Sequence, residues 1–182
     1  MKRRRVAALI SAGTVSVMLS GCMTPPARRV ETDGTYCYRI GKSYRQKLTC
    51  TAVPVPPDAV EASAKRFEPS PGAAMLYIVR RRWGDTANRV PVSIDDRPLV
   101  VTIPDSLVRV RLKPGNHQAA LDWEGKRQVK SFTVAAGEVL FVEVDGSVWA
   151  WGANYGWAEP DAAGARKRAS KSKLIADFDL GS

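Results

Sequence analysis

The sequence predicts a mainly β protein: a small antiparallel β-sandwich with a disulfide-stapled N-terminal segment and a C-terminal helix. From residue 73 onward, seven or eight short segments alternate apolar and polar residues, which is typical of half-buried strands. Turn residues separate these segments, and the chain has 12 Pro and 14 Gly among its 182 residues. A chain of this length suits one domain with a modest core. Short strands with this alternation favour antiparallel sheets packed face to face.

The predicted strands follow one another closely along the chain. They cover Met75–Arg81, Arg89–Asp95, Leu99–Ile103, Leu107–Leu112, His117–Glu124, Arg127–Val134, Glu138–Val144 and Ser147–Trp157. Turns are predicted at Asp95-Asp96-Arg97-Pro98 and at Lys113-Pro114-Gly115-Asn116, where Gly115 is expected to adopt a positive φ. Asp145-Gly146 is a strong hairpin signal, so the last strand is expected to pair back on the one before it.

The segments that flank the strands have different patterns. Tyr36 to Thr51 is predicted to form a short hairpin-like element, followed by a Pro-rich linker. Asp58 could cap a short helix over Ala59–Phe67. Glu159–Ile175 has a helix-compatible composition, and Asp177–Ser182 is expected to be frayed. The C-terminal helix is strongly basic through Arg166, Lys167, Arg168, Lys171 and Lys173.

The first 22 residues have the features of an export signal. Lys2 to Arg5 is positively charged, and Val6–Ser20 is apolar and uncharged but shorter than the roughly 20 residues that a membrane-spanning helix needs. The stretch ends in Leu19-Ser20-Gly21-Cys22, which resembles the lipobox of bacterial lipoprotein signal peptides. The alternatives are an ordinary secretory signal with a chance cysteine and, more weakly, a twin-arginine signal.

The lipobox resemblance implies a lipid anchor on Cys22. It implies a diacylglyceryl thioether on that residue, cleavage after Gly21 and acylation of the new amino group, with palmitate as the expected fatty acid. Met23 stands where an Asp would retain a lipoprotein in the inner membrane, so we expect the cell outer membrane, most simply its periplasmic face. The expected organisation is 1–21 signal peptide, 22–35 lipidated tether, 36–72 disulfide segment and Pro-rich linker, 73–157 sandwich, and 158–182 basic helix and tail.

The two other cysteines are expected to form a disulfide. With Cys22 lipidated, Cys37 and Cys50 remain, and an exported chain most simply pairs two such thiols in an oxidising compartment. A reactive cysteine is the alternative, but neither residue has a general base near it in sequence.

Several motifs after residue 73 carry a second resemblance. They are Leu76-Tyr77-Ile78-Val79-Arg80, Asp95-Asp96, Leu112-Lys113-Pro114-Gly115-Asn116-His117 and Ala136-Gly137-Glu138-Val139. In this order they resemble a domain-of-unknown-function family of bacterial lipoproteins, and the Pro-Gly-x-His turn is similar to PEGA-type envelope domains. The resemblance covers less than half of the chain. It implies a β-sandwich in the cell envelope and carries over no catalytic residue.

No catalytic, metal or cofactor site is predicted. A single His argues against His-based metal sites and triads, and three Cys are too few for a four-thiolate zinc site. His117 is expected to anchor a turn or to lie in the core. Asp95 and Asp96 could suggest an acid/base pair, but they fit ordinary turn chemistry better.

The most unusual feature is an aromatic row near the end of the sandwich. In one extended strand, Trp149, Trp151, Tyr155 and Trp157 would share a face. Such rings could stack on sugars, lie at a membrane interface or pack into the core.

Basic residues suggest a second kind of contact. Arg80, Arg81 and Arg82 precede Trp83, and Arg109 and Arg111 share one strand face. They could meet anionic lipids or glycans, or form a solvated face. Nucleic acid is not expected as a partner outside the cytoplasm.

Two function classes follow from the sequence. The first is a non-enzymatic, lipid-anchored envelope lipoprotein that binds or supports another envelope component. The alternative is binding or processing of a glycan, peptidoglycan or lipopolysaccharide, through the aromatic row. A glycosidase would also need a suitably spaced carboxylate pair, and the sequence singles out none.

Overall fold

The computed structural model describes residues 30–40, 47–81, 88–149 and 152–181, and the side chains of Val148 and Trp149 are not described. The predicted signal peptide and Cys22 lie outside the described residues, as do Arg82, Trp83 and Trp151. No helix within the described ranges is long and apolar enough to cross a membrane.

Two β-sheets form the body of the protein. The five-stranded sheet has the order β10 (Gly152–Trp157), β9 (Val139–Trp149), β3 (Ala74–Arg80), β6 (Ser106–Leu112) and β11 (Lys173–Asp179). The four-stranded sheet has the order β5 (Arg97–Thr102), β4 (Val90–Ile94), β7 (Gly115–Trp123) and β8 (Lys126–Val134). The fold is therefore mainly β and sandwich-like, as the alternating pattern predicts.

The five-stranded sheet is mixed, whereas an antiparallel one was expected. β3 pairs in parallel with β9, and β6 pairs in parallel with β11. The parallel partners are not joined by tight turns: β9 enters the sheet after β7 and β8 of the other sheet, and β11 enters it after β10 and the helix Ala162–Ala169. Such long connections allow a strand to run in the same direction as its neighbour.

The main core lies between the sheets and consists of the apolar residues from alternate strand positions. It includes Leu76, Ile78, Val90, Val92, Ile94, Val108, Val110, Leu121, Val142, Val144 and Tyr155. The side of the sandwich at β10 is closed by three side-chain hydrogen bonds to backbone oxygens. Trp123 Nε1 donates to Ala153, Gln128 Nε2 to Tyr155, and Trp157 Nε1 to Gln128. At the other side, the edge strands β5 and β11 face each other across a groove.

Two helices, α1 (Asp58–Ala64) and α2 (Ala162–Ala169), cover the outer face of the five-stranded sheet. Phe67, Tyr77 and Phe141 pack there as a cluster of rings. The expected cap by Asp58 is wrong: Pro57 precedes the helix, and no side chain caps it. Asp58 instead accepts a hydrogen bond from Lys173 Nζ at 3.2 Å, because the end of the chain runs beside this helix.

The N-terminal hairpin is held by the Cys37–Cys50 disulfide, as predicted. Its strands are β1 (Cys37–Ile40) and β2 (Lys47–Cys50), and they are antiparallel. Tyr36 and Tyr38 reach from this hairpin into the main core. The disulfide segment is therefore packed on the sandwich.

Two predictions near the C-terminus are wrong. Asp145-Gly146 is not a hairpin turn, since β9 runs on to Trp149 and the chain reverses between Trp149 and Gly152. The helix expected over Glu159–Ile175 ends at Ala169. Strand β11, Lys173–Asp179, includes the last three positions of that expected helix and the first three of the segment expected to fray, and it pairs with β6. The sandwich therefore extends beyond the predicted range 73–157.

Candidate functional site

The aromatic row does not form one face of one strand. Trp149 belongs to β9, whereas Tyr155 and Trp157 belong to β10. In the hairpin register Trp149 pairs with Gly152, so it is out of phase with Tyr155 and Trp157. The expectation that the four aromatic residues lie along one strand is wrong, because the chain reverses between Trp149 and Gly152.

Tyr155 lies inside the sandwich with 1% of its surface exposed. Its ring meets the edge of the Trp123 ring at a centroid distance of 4.6 Å, and the guanidinium of Arg80 lies 4.8 Å from its centroid. Asn88 Nδ2 donates to its hydroxyl at 3.0 Å. Tyr155 is thus a core residue and is not available to stack on a sugar.

Trp157 is half-buried and also contributes to packing. Its indole N–H donates to the carbonyl of Gln128 at 3.1 Å, which holds β10 against β8. Of the four candidate rings, therefore, the two that are described join the sheets to each other. The side chains of Trp149 and Trp151 lie outside the described part of the chain.

Several of the described arginines that suggested an anionic ligand make contacts within the protein. Arg80 is 1% exposed and donates to the carbonyl of Thr102 at 2.7 Å. Arg109 forms a two-pronged ion pair with Asp177, at 2.8 and 2.6 Å. The hydrogen bond to Asp177 raises the pKa of Arg109. Arg111 lies beside this pair, in a cleft of about 380 Å³ that also contains Asp179.

The basic C-terminal helix is held to the sheet through Glu143, whose side chain is 3% exposed. Arg81 Nη2 donates to this carboxylate at 2.8 Å, and Arg168 donates to it through Nε and, at 2.6 Å, through Nη2. Arg168 also reaches Asp161 at 2.9 Å. The bond to Glu143 is the largest cause of the raised pKa of Arg168. Arg168, which the sequence suggested as part of a basic surface, therefore holds α2 on the sheet.

A second buried pair fixes α1 to β11. Lys173 Nζ donates to Glu61 and to Asp58. Burial works to lower the pKa of Lys173, but the hydrogen bonds and negative charges of Glu61 and Asp58 together outweigh it, and the net pKa is raised. For Glu61, burial works to raise the pKa, and the bonds to Lys173 and Lys65 lower it overall. The pair stabilises the charged forms of both groups.

His117 anchors a turn, as predicted. Asp95 and Asp96, both at positive φ, form the two-residue connection between β4 and β5, so their predicted role in a turn is confirmed. The Asp95 carboxylate accepts bonds from the backbone N–H of Gln118 and lies 2.7 Å from His117 Nδ1. Burial works to lower the pKa of His117, but the bonds to Asp95 and to the Lys113 carbonyl raise it overall.

An apolar groove of about 330 Å³ lies between the open edges of the two sheets, and the sequence did not predict it. Its walls are Leu99 and Val100 of β5 and Ile175 and Phe178 of β11, with Val53 of the linker at its mouth. None of the described residues that line it is charged. The hydroxyl of Thr51, its polar member, donates to the Val53 carbonyl at 2.8 Å. The surface that the groove offers to a ligand is therefore apolar.

The start of the described chain lies beside this groove. Val30 forms a bridge with Tyr36. Tyr36 is joined to Thr51 by two bonds, from Thr51 N at 2.9 Å and to Thr51 Oγ1 at 3.1 Å. Since neighbouring strands lie about 4.8 Å apart, Val30 is roughly 10 Å from a residue that lines the groove. The sequence shows Val53 only as a valine in a Pro-rich linker, and its exposure beside the groove is seen only in the structure.

Within the described ranges, no group of three or more His, Cys, Asp or Glu side chains could hold a metal ion. No family model matches the chain, and no curated protein is significantly similar to it.

Proposed function

We propose that this chain is a lipoprotein of the bacterial cell envelope, anchored in the outer membrane through Cys22. Its sandwich binds or supports another envelope component and does not catalyse a reaction. The carrying observation is the order of charged start, apolar run and Leu19-Ser20-Gly21-Cys22, only eight residues before Val30. The resemblance to envelope lipoproteins with a small β domain supports the same proposal.

The Cys37–Cys50 bridge supports export independently of the lipobox. Disulfides persist in oxidising compartments such as the periplasm, and they are rare in the cytosol. This bridge holds a hairpin whose tyrosines pack into the core, so it has a structural use in the folded protein.

A non-catalytic role is supported by what the ionisable side chains do. His117 and Asp95 hold two turns together, and Glu143 holds a helix on the sheet. A carboxylate or imidazole occupied in this way is poorly placed to exchange protons with a substrate. The glycan alternative now depends on Trp149 and Trp151, since Tyr155 and Trp157 take part in packing.

Crosslinking in intact cells tests this proposal. The tagged full-length protein is crosslinked, extracted and purified beside a Cys22→Ser variant, and outer and inner membranes are separated on a density gradient. We expect outer-membrane recovery with a defined crosslinked partner, and loss of both in the variant. Recovery in the inner membrane, or no partner from intact envelopes, would contradict it. Sedimentation with purified peptidoglycan alone would favour the glycan alternative.

A further inference from the structure

We propose that the apolar groove between β5 and β11 takes one fatty acyl chain of a phospholipid from the membrane in which the protein is anchored. This inference rests on the proposed anchor at Cys22, because the anchor determines which side of the domain faces the bilayer. It adds a lipid contact at a site more than twenty residues away from the lipidated cysteine.

The first argument is the reach of the chain. Val30 is eight positions after Cys22, so the chain between them spans at most about 28 Å when fully extended. A domain of about 150 residues has a radius of gyration of about 15 Å and is roughly 40 Å across. The tether is too short for the bilayer to reach the far side of the domain. The surface around Val30, which includes the mouth of the groove, is the one held near the lipid.

The second argument is the chemistry of the groove. The groove is lined by the apolar side chains of Leu99, Val100, Ile175 and Phe178. The hydroxyl of Thr51 already donates a hydrogen bond to the Val53 carbonyl. The mouth carries Val53, which is 61% exposed. Moving a methylene group from water into such a site is favourable, and an acyl chain supplies many methylenes whereas a polar headgroup or a sugar does not.

The third argument concerns the competing occupant, an extended peptide that would pair with a free sheet edge. β5 carries Pro98, which has no N–H to donate, and Arg97 at its start. β11 has an irregularity in its pairing between Leu174 and Ala176. Prolines, charges and irregularities of this kind are how proteins discourage strand addition at edges. The edges that flank the groove therefore favour a lipid over a strand.

Photolabelling tests the proposal on the full mature lipoprotein. The protein is reconstituted into vesicles of phosphatidylethanolamine and phosphatidylglycerol that contain a phosphatidylcholine with a diazirine on one acyl chain. After irradiation, labelled peptides are mapped by mass spectrometry. We expect label in the peptides that contain Val53, Val100 and Phe178. Label confined to the segment before Val30, or spread evenly over the surface, would overturn the proposal.

Two matched variants sharpen the test, since both replace an exposed valine with a charge. Val53→Asp puts a carboxylate at the mouth of the groove, whereas Val129→Asp puts one on β8, where the valine is 52% exposed. We expect groove labelling to fall about fivefold or more in Val53→Asp, because burying a charge beside an acyl chain is costly, and to stay unchanged in Val129→Asp. Equal labelling in both, with melting temperatures like the wild type, would overturn the assignment.

Two further experiments distinguish a membrane phospholipid from the protein's own lipid and from a peptide as the occupant of the groove. If the groove is labelled only when cells incorporate a photoactivatable fatty acid into the anchor, the occupant is the protein's own lipid and the phospholipid proposal is wrong. If the groove crosslinks only to protein in intact envelopes, a peptide occupies it and the proposal is also wrong. The lipid on Cys22 is measured separately by mass spectrometry of the same protein, so a failure of the anchor and a failure of the groove are distinguishable.

Discussion

Nδ1 of His117 lies 2.7 Å from a carboxylate oxygen of Asp95, while Nε2 of the same ring lies 2.8 Å from the carbonyl oxygen of Lys113. Both partners only accept hydrogen bonds, so the ring satisfies both of them only as the imidazolium. The pair joins the turn after β4 to the turn before β7. The imidazole titrates near neutral pH, so this pair gives the fold a pH-dependent contribution to its stability. Because the chain contains one His, that contribution can be assigned to His117.

We predict that His117 stabilises the fold at acidic and neutral pH and contributes less as the pH rises. Its folded pKa is raised. The stabilisation is therefore fully present below the unfolded pKa of about 6.5 and is lost as the pH rises through the folded pKa. In denaturant melts at pH 5.5, His117→Gln should lower the free energy of unfolding by about 1–2 kcal/mol. The difference from wild type should shrink at pH 9.

Asp95→Asn serves as the control for this prediction, because it keeps the turn and removes the negative charge. The pH dependence attributed to His117 should be weaker in Asp95→Asn than in the wild type. A difference between wild type and His117→Gln that stays constant from pH 5.5 to pH 9 would show that the ring does not change its protonation in this range.

The second prediction concerns Glu143, which is buried between Arg81 and Arg168. Glu143→Gln should destabilise the protein by about 2 kcal/mol. Removing one partner of a fully buried ion pair destabilises a protein by more than this, about 3–5 kcal/mol. The two arginines are partly exposed to water, which reduces the destabilisation expected here. Helix α2 should also detach more often, so trypsin should cleave after Arg166 and Lys167 faster than in the wild type.

Glu159→Gln is the matched control, since it makes the same change at an exposed carboxylate just before α2. Its cleavage rate should equal that of the wild type. If both variants were cleaved at the wild-type rate, the ion pairs with Glu143 would not be what holds the helix on the sheet.

The third prediction concerns Gly115, which starts β7 with a φ of 141°. A Cβ at this position would have no atom within 4 Å, so the cost of a side chain is conformational and not steric. Gly115→Val should cost about 1–2 kcal/mol or more and lower the melting temperature by several degrees. Ser131→Val, at an exposed strand position, should not lower it. An unchanged melting temperature for Gly115→Val would contradict this account of the turn.

The fourth prediction concerns the Cys37–Cys50 disulfide. In material from the envelope, neither thiol should react with an alkylating reagent until the protein is reduced, as measured by mass spectrometry. A double Cys37→Ser, Cys50→Ser variant should lose roughly 3 kcal/mol of stability, the value that chain entropy gives for a loop of this length. Two alkylated cysteines in freshly isolated envelopes would rule out the bridge in the cell.

The strand positions were predictable because they depend on local alternation. In β4, Val90, Val92 and Ile94 are buried. A turn at Asp95-Asp96 follows them, within the Asp95–Pro98 turn that the sequence predicts, although Arg97 and Pro98 already belong to β5. Partners distant in sequence were not predictable. β11 forms because Leu174 and Ile175 are buried when the strand lies next to β6, more than sixty residues earlier. Nothing in the local composition of Lys173–Asp179 indicates that neighbour.

The aromatic row shows how a local signal can mislead. Asp-Gly is a frequent hairpin turn, yet Gly146 pairs directly with Tyr155 inside the sheet. A glycine opposite a large ring leaves room for that ring to pack, so the residue that resembles a turn is a strand position. Likewise, Arg80 looked like surface charge but is buried against Tyr155. Composition gives the residue types of a candidate site, and only tertiary contacts decide which of them are free.

The most direct test of the lipid anchor is metabolic labelling with a radioactive fatty acid. Cells that express the wild-type chain, Cys22→Ser or the double Cys37→Ser, Cys50→Ser variant are labelled, and the purified proteins are compared by autoradiography. The account predicts label in the wild type and in the double variant, and none in Cys22→Ser, which should also be uncleaved or released from membranes. Undiminished label in Cys22→Ser would contradict it.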